Sequence, residues 1–257
     1  MSGLKITLLQ QPLVWMDGSA NLRHFDVVMD KLSGRDLIVL PEMFTTGFAM
    51  EAAQQSMPED QVIEWMKEKA CQCDAMVAGS AALQTESGPV NRFLLVTPEG
   101  EVSHYDKRHL FRMADEHQFY QAGNDRVIVE WRGWRILPLV CYDLRFPVWS
   151  RNLGDYDLAL YVANWPAPRS QHWQTLLSAR AIENQVWVAG CNRVGTDGNG
   201  HHYRGDSRVI SPQGEIIASC DPHHAARIDA ELSLTALQEY REKFPAWRDA
   251  DNFTLNR

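Results

Sequence analysis

The 257-residue chain lacks several features that mark particular protein classes. It has no linker rich in proline, glycine and serine and no block of like charge, which favours a single domain over residues 1–257. It has no stripe of basic residues and its formal net charge is −8, so we expect no nucleic-acid partner. Its apolar runs fall short of the roughly 18 residues that a membrane span needs, so we expect no membrane partner either.

Export signals are also missing from the pattern. Residues 1–9 have neither the charged start nor the cleavage site of a secretory signal peptide, and they predict a strand instead. The number of cysteines is odd, which together with this start indicates reduced thiols and a cytoplasmic protein. They are Cys71, Cys73, Cys141, Cys191 and Cys220.

The hydrophobic pattern alternates strands with helices. Short, continuously apolar runs predict strands buried on both faces at 36–41, 136–141, 158–163 and 186–190. Apolar residues at three- and four-residue steps predict three helices between and after them. The first carries Leu22, Phe25, Val28 or Met29, and Leu32 and stops at Ser33-Gly34; the second carries Trp173, Leu176, Leu177 and Arg180; the third carries Leu234, Leu237, Tyr240 and Phe244, with Ser233 as N-cap.

Two segments share the pattern of a β-hairpin. Residues 94–102 and 208–216 each contain a strand, a Pro-x-Gly turn and a second strand, and one lies in each half of the chain. The pair favours two similar halves, each with a sheet and helices, although the segments are too short to count as a sequence repeat.

Cys141 is the first candidate for chemistry. It ends an apolar strand and precedes a predicted helix, and a nucleophile at such a turn stands clear of the sheet with backbone N–H groups around it. A thiol needs a nearby cation, helix N-terminus or base to react at neutral pH. Taken alone, however, an intracellular cysteine is more often a small buried apolar side chain.

Two charged residues could supply what the thiol needs. Glu42 follows a buried strand, where α/β ligand sites form and where partial desolvation raises a carboxyl pKa towards that of a working base. Lys107 follows the first hairpin directly. Each also has an ordinary interpretation: Glu42 as a helix cap or salt-bridge partner, and Lys107 as a solvated surface side chain.

The three segments together resemble one family. Leu40-Pro-Glu-Met-Phe44, Asp106-Lys-Arg-His-Leu110 and Val140-Cys-Tyr-Asp143 are similar, in order and type, to the Glu–Lys–Cys constellation of the nitrilase superfamily of carbon–nitrogen hydrolases. Further matches are 164–166, 179–184, 192–195 and 205–207, so the resemblance covers nearly the whole chain. It is greatest for the omega-amidase branch.

The resemblance implies a fold, a mechanism and an assembly. The fold is an α/β, four-layer α-β-β-α sandwich, and the reaction passes through a thioester on Cys141 without metal or organic cofactor. Glu116, in 116–123 with the form Glu-x-x-aromatic-aromatic-x-x-Gly, would position Lys107; Asp115 is a nearby competitor. The backbone N–H of Tyr142 would join Lys107 at the oxyanion. A homodimer is also implied, with the helix at 172–187, including Arg180 and Glu183, as a candidate surface.

Further residues around these segments are candidates for binding the substrate. Arg145 lies four residues after Cys141, and a guanidinium can grip a carboxylate with two parallel hydrogen bonds. A structural salt bridge of Arg145 with Asp143 is the alternative. The candidates beside the reactive segments are Tyr142, Arg145, Phe48, Phe111 and Trp165.

We assign no function to three other motifs. Cys71-x-Cys73 is too tightly spaced for a zinc knuckle and has no second pair. The histidine pairs at 201–202 and 223–224 are expected to be solvated loop residues. Residues 195–200 form a loop without a following helix start, which disfavours a phosphate cradle.

We therefore expect an omega-amidase that acts on the terminal amide of 2-oxoglutaramate or a related small 2-oxo acid amide. Tyr-Asp after Cys141, in place of the Trp-Glu typical of nitrile hydrolysers in the family, disfavours nitriles. A deaminated-glutathione amidase, a carbamoylase and a catalytically silent binding module on the same fold stay open. So does a Cys–His hydrolase, which would need His109 or His172 near Cys141.

Overall fold

The structure is a computed structural model that describes residues 3–251 and 253–254. Its strands are β1 (Leu4–Gln10), β2 (Leu37–Val39), β3 (Met76–Thr85), β4 (Gly88–Val96), β5 (Val102–Asp106), β6 (Val129–Trp131), β7 (Trp134–Val140), β8 (Leu158–Ala163), β9 (Trp187–Asn192), β10 (Val194–Thr196), β11 (His202–Arg204), β12 (Arg208–Ile210), β13 (Ile216–Ser219) and β14 (Ala226–Leu232). Its α-helices are α1 (Gly18–Met29), α2 (Ala52–Gln55), α3 (Glu59–Cys73), α4 (Glu116–Phe119), α5 (Ser170–Asn184) and α6 (Leu234–Lys243).

Two six-stranded sheets have the same topology. Their strand orders are β14-β1-β2-β3-β4-β5 and β6-β7-β8-β9-β12-β13. In each, an antiparallel edge strand is followed by three parallel strands and then by an antiparallel hairpin. The two Pro-x-Gly hairpins are β4–β5 and β12–β13, at matching edges of the two sheets. The expected likeness of the two halves is therefore present in the fold.

Alternating side chains of the first sheet enter two different cores. In β1 and β2, Leu8 and Leu37 point towards the second sheet, whereas Leu9 and Ile38 point towards α1 and α3. The core between the sheets continues through β7–β9 to Trp173 and other residues of α5 and α6. The layers are therefore helices, sheet, sheet and helices, which is the α-β-β-α sandwich that the resemblance implies.

Strand predictions hold better than helix ends. β8 occupies 158–163, as the sequence predicts, and the other three predicted strands lie within three residues of β2, β7 and β9. The third helix has its predicted cap, since Ser233 Oγ accepts from Ala236 N at 3.1 Å. The first helix was predicted too long. It ends at Met29, because Asp30 is extended, and Leu32 reaches the same core from the following turn.

The segment after Cys141 also differs from its prediction. Residues Cys141–Arg145 form a single 3₁₀ helix rather than the start of an α-helix, and the chain then stays irregular up to β8. Cys141 nevertheless directly follows a central strand, β7, and so lies at the end of the sheet, as the sequence predicts.

Candidate active site

Both sheets contribute to one site at the carboxyl ends of their strands. Lys107 directly follows β5 and Cys141 directly follows β7, while Glu42 lies three residues beyond β2. Glu116 is the first residue of α4. Because the ends of the two sheets meet at this edge, residues that are far apart in the chain become neighbours. The structure thus brings together all four residues for which the sequence indicates a catalytic role.

Lys107 lies between two carboxylates. Its Nζ is 2.9 Å from Glu42 Oε1 and 3.0 Å from both carboxylate oxygens of Glu116, and all three side chains are fully buried. Burying three charges costs several kcal/mol per ion unless they pair and hydrogen-bond well. Such a cluster is therefore weak evidence for stability and marks this position as a candidate functional site.

Neighbouring groups fix the orientation of the carboxylates. Asn91 Nδ2 donates to Glu42 Oε1 at 2.8 Å, and the backbone N–H of Asn164 donates to Glu42 Oε2 at 2.7 Å. On the other side, the backbone N–H of Phe111 donates to Glu116 Oε2 at 2.5 Å. Sequence reasoning assigned no role to Asn91 or Asn164. The available signal for Asn91 was an amide in the mostly apolar run of β4, since a buried amide needs hydrogen-bond partners.

The charge cluster changes the proton affinity of its members. Burial lowers the pKa of Lys107, but the negative charges of Glu116 and Glu42 outweigh it and hold that pKa well above its ordinary value. The pKa of the Glu116 carboxyl is raised, chiefly by burial, with Lys107 opposing the rise. The two carboxylates therefore favour the charged form of Lys107 beside Cys141.

Cys141 has an unusual backbone and a protonated thiol. Its φ of 44° lies in the left-handed region, which costs a non-glycine residue about 1 kcal/mol or more. Burial first, and then the charge of Glu42 and a hydrogen bond to it, raise the pKa of the thiol well above its ordinary value, although Lys107 opposes this. A nucleophilic role for this thiol would therefore need a base, and Glu42 is the carboxylate that shares a hydrogen bond with it.

A cavity of about 820 Å³ opens above Cys141. All five residues that the sequence suggests for substrate binding line it: Phe48, Phe111, Tyr142, Arg145 and Trp165. Phe111 packs edge-on against Tyr142 with ring centroids 5.0 Å apart, and Lys107 Nζ lies 5.1 Å from the centre of the Phe48 ring. Aromatic side chains thus enclose the approach to the thiol.

Arg145 is held without an acidic partner. Its guanidinium lies 4.9 Å from the centre of a Trp165 ring, and its Nη2 is 3.0 Å from His172 Nδ1. The salt bridge with Asp143 that the sequence left open as an alternative is absent from the described residues, because the oxygens of Asp143 are occupied by other donors. Arg145 therefore presents a charge to the cavity that no carboxylate of the described chain neutralises.

Part of the cavity wall was not foreseen. His201 and His202, predicted to be solvated loop residues, are exposed but line the cavity, because the β10–β11 hairpin folds over this edge. Arg169 lines it as well, with its guanidinium 5.6 Å from the centre of the Phe111 ring. The sequence offered no signal that separates a histidine pair in a solvated turn from one at a cavity rim.

The two histidines of the Cys–His interpretation point elsewhere. His109 Nδ1 is 2.8 Å from Asp143 Oδ1, and its ring stacks on Phe146 at 3.9 Å. His172 Nδ1 faces Arg145. Since the side chain that shares a hydrogen bond with the Cys141 thiol is that of Glu42, the geometry favours a carboxylate-assisted thiol over a Cys–His pair.

Two other features are absent from the part of the chain that the structure describes. None of its helices is long and apolar enough to cross a membrane. Nor do these residues contain a group of three or more His, Cys, Asp or Glu arranged to hold a metal ion.

Comparison with known proteins gives consistent matches. The family model described as carbon–nitrogen hydrolase matches residues 5–242. The omega-amidase YafV of Escherichia coli K12 is 78% identical over 255 residues, covering 99% of this chain and 100% of that protein. The 2-oxoglutaramate amidase of Bacillus subtilis is 34% identical, with 95% and 96% covered. The crystal structure of a CN-hydrolase superfamily protein from Xanthomonas campestris, with an arsenic adduct in its active site, is 45% identical and superposes with a TM-score of 0.97 over 100% of both chains.

Proposed function

Because this chain belongs to the carbon–nitrogen hydrolase family, we propose that it is an omega-amidase that converts the terminal amide of 2-oxoglutaramate, or of a related small 2-oxo acid, into a carboxylic acid and ammonia. One arrangement carries the proposal: a buried Glu42–Lys107–Glu116 cluster contacts Cys141 at the base of a cavity whose wall holds an unpaired Arg145. The cluster beside Cys141 suits amide hydrolysis, and Arg145 suits a substrate with a carboxylate. The names of the Escherichia coli and Bacillus subtilis relatives support the same substrate class.

Acylation begins with proton transfer from Cys141 to Glu42. The sulfur attacks the amide carbon, and the carbonyl oxygen becomes an oxyanion between Lys107 Nζ and the backbone N–H of Tyr142. Tyr142 suits this role because it is the second residue of a 3₁₀ helix, where N–H groups lack partners within the helix. As the C–N bond breaks, Glu42 returns the proton to the leaving nitrogen, and ammonia departs from a thioester.

Deacylation reuses the same groups. Glu42 takes a proton from water, and the hydroxide oxygen attacks the thioester carbon, again forming an oxyanion beside Lys107. When the C–S bond breaks, the proton returns to sulfur. This step restores the thiol and releases the product, in which the terminal amide has become a carboxylic acid. Glu116 does not meet the substrate in this scheme; it holds Lys107 in place and keeps it charged through two 3.0 Å contacts.

The function is tested by ammonia release from a panel of amides. We expect turnover to be greatest with 2-oxo acid omega-amides, lower with uncharged primary amides, and lowest with carbamoyl amino acids. A preference for deaminated glutathione or for carbamoyl amino acids would move the enzyme to another activity of the family. Absence of turnover with every amide would mean a binding module on this fold.

Arg145→Lys is expected to lower kcat/KM for 2-oxoglutaramate. The loss should correspond to roughly 2–3 kcal/mol of transition-state stabilisation, the range for hydrogen bonds to charged groups. Lysine keeps the charge but cannot form the paired hydrogen bonds of a guanidinium. Steady-state kinetics would measure the loss, which should be smaller for an uncharged amide of similar length. Arg169→Lys is the matched control, since Arg169 also stacks on an aromatic ring of the cavity. Equal losses for both substrates would make Arg145 structural.

We further propose that two chains form a dimer. Ile182 on α5 is 52% exposed, and the adjoining loop exposes Leu153 to 66%. Arg180, which the sequence suggested for this surface, is instead 4% exposed and bonds Leu144 O and Glu183, so apolar contacts would dominate. Sedimentation at micromolar concentration should give twice the 29.3 kDa chain mass. A mass of one chain, or no shift toward monomer in Ile182→Glu, would count against this interface.

Two general properties complete the proposal. The chain works as one domain, since Glu42 and Lys107 lie in its first half and Cys141 in its second. The reaction needs Cys141 as a free thiol, and all five cysteines are unpaired, which supports a cytoplasmic location. Fractionation of cells that express the protein would test the location.

A further inference from the structure

Asp143 is a buried carboxylate that the reaction scheme does not use. It lies two residues after Cys141, is fully buried and does not line the cavity. Four hydrogen bonds reach its two oxygens. The donors are Val140 N at 2.9 Å, Tyr105 Oη at 2.8 Å, His109 N at 3.0 Å and His109 Nδ1 at 2.8 Å. A buried charge with this many donors is a fixed point of the structure.

These bonds tie the Cys141 segment to both sides of Lys107. Tyr105 lies two residues before Lys107 and His109 two residues after it, so the chain around Lys107 is anchored on either side. Tyr105 Oη also accepts from Arg108 N and Trp149 Nε1, both at 3.1 Å. The hydroxyl is therefore held by three partners, and burial raises its pKa well above the ordinary value, so it stays a donor.

The Cys141 backbone needs such an anchor. A left-handed conformation at a non-glycine residue persists only where the surrounding structure determines it. Val140 precedes the Cys141–Tyr142 pair and Asp143 follows it. The hydrogen bond from Val140 N to the Asp143 carboxylate joins these two residues. The same carboxylate is the direct hydrogen-bonded link from this turn to the Lys107 segment.

We propose that Asp143 is a positioning residue that sets the separation between the Cys141 thiol and the Lys107 ammonium. It touches neither substrate nor reacting atoms, and it acts through Tyr105 and His109 on one side and through Val140 on the other. The inference rests on the proposed function, because it assigns Asp143 to the spacing of a nucleophile and an oxyanion partner.

Asp143→Asn tests this with little change of shape. In one orientation of the new amide its nitrogen faces Val140 N–H and Tyr105 O–H, and in the other it faces the two His109 groups. Either way two donors meet, so at least one link must open. We expect kcat to fall about 100-fold, the effect of misplacing reacting groups by about 1 Å, while KM changes little. Tyr105→Phe removes the hydroxyl's bond to Asp143, and the two bonds that the hydroxyl accepts from Arg108 N and Trp149 Nε1, without adding a donor. We expect a fall of about tenfold. The double variant should lose less than the product of the two effects.

Asp157→Asn is the matched control. Asp157 is 5% exposed and pairs with Arg135 and Arg241, but it precedes β8 and so lies at the opposite end of the sheet. It should lower thermal stability as Asp143→Asn does, yet leave kcat per folded enzyme unchanged. A role of Asp143 in stability alone predicts the same behaviour at both positions.

A second measurement does not depend on amide turnover. Because Lys107 lowers the pKa of Cys141, moving the two apart should shift the pH dependence of Cys141 alkylation by iodoacetamide to higher pH. We expect this shift in folded Asp143→Asn and Tyr105→Phe, but not in Asp157→Asn. An unchanged alkylation profile and unchanged kcat in Tyr105→Phe and Asp143→Asn would overturn the proposal. If the wild type hydrolyses no amide but the two variants show the shifts in alkylation, the proposed function is overturned and the positioning role stands.

Discussion

Replacing Cys141 by alanine is expected to abolish ammonia release while the fold stays intact. The proposed reaction requires a covalent bond to sulfur, and loss of a nucleophile commonly costs on the order of a millionfold in turnover. The fold should survive because Cys141 lies beyond the end of β7 and lines the cavity. Ammonia release would be measured beside circular dichroism, and mass spectrometry of the wild type during turnover should find an acyl group on Cys141.

Cys191→Ala provides the control for this result. Cys191 is fully buried in the core between the sheets, and its thiol contacts the carbonyl oxygens of Leu9 and Val39. Burial raises the pKa of this thiol, so it is unreactive at working pH. The variant should lose stability and keep its turnover per folded molecule. An acyl adduct on Cys191 or Cys220, or near-normal turnover in Cys141→Ala, would disprove the nucleophile.

Glu42→Gln is expected to have two opposite effects on the site. Turnover should fall by roughly 10²–10⁴, the usual contribution of a general base. The pKa of Cys141 should fall as well, because the charge of Glu42 and its hydrogen bond both raise it in the wild type, whereas Lys107 lowers it. The variant should therefore hold more thiolate at a given pH near or above neutrality and still be a poorer amidase.

The two effects are measured separately. Steady-state ammonia release gives the turnover, and the pH profile of alkylation by iodoacetamide gives the thiol pKa. Glu116→Gln is the comparison: it also removes a negative charge that raises the Cys141 pKa, but Glu116 hydrogen-bonds Lys107 rather than the thiol. Its profile should shift in the same direction with a smaller loss of turnover. An alkylation profile that moves to higher pH in Glu42→Gln would show that Glu42 is not the base in contact with sulfur.

The sequence predicts strands well where burial on both faces leaves a continuous apolar run. β8 is the example, since its six residues are all buried and are flanked directly by the polar residues Asp157 and Asn164. The end of α1 was missed for a related reason. Leu32 continues the helical spacing and enters the same core, but it does so from a turn after the helix has ended at Met29. The spacing of apolar residues indicates which side chains are buried, but it does not show whether the backbone that carries them is helical.

The four residues of the proposed site could be proposed from the sequence because their segments resemble those of the nitrilase superfamily. Glu42 and Lys107 also each follow a predicted strand or hairpin, and Cys141 ends a predicted strand. Asn91 was missed because one amide within a strand gives no hint of its partner, and Glu42 is 49 residues away in the chain. The cavity rim was missed because His201 and His202 owe their position to β10–β11, a hairpin that pairs with neither large sheet. Such contacts depend on how separate elements meet, which local patterns do not encode.

The equivalence of the two sheets has a consequence for how such an enzyme could arise by duplication. Glu42 and Asn164 each follow the middle one of three parallel strands, and the backbone N–H of Asn164 donates to Glu42 Oε2 at 2.7 Å. Two glutamates at these matching positions would bring like charges together, and one would have to stay protonated. A pair of identical halves could therefore share this fold but not this chemistry. In the proposed mechanism, an acid in one half and an amide in the other leave Glu42 as the one carboxylate of this pair that can act as the base.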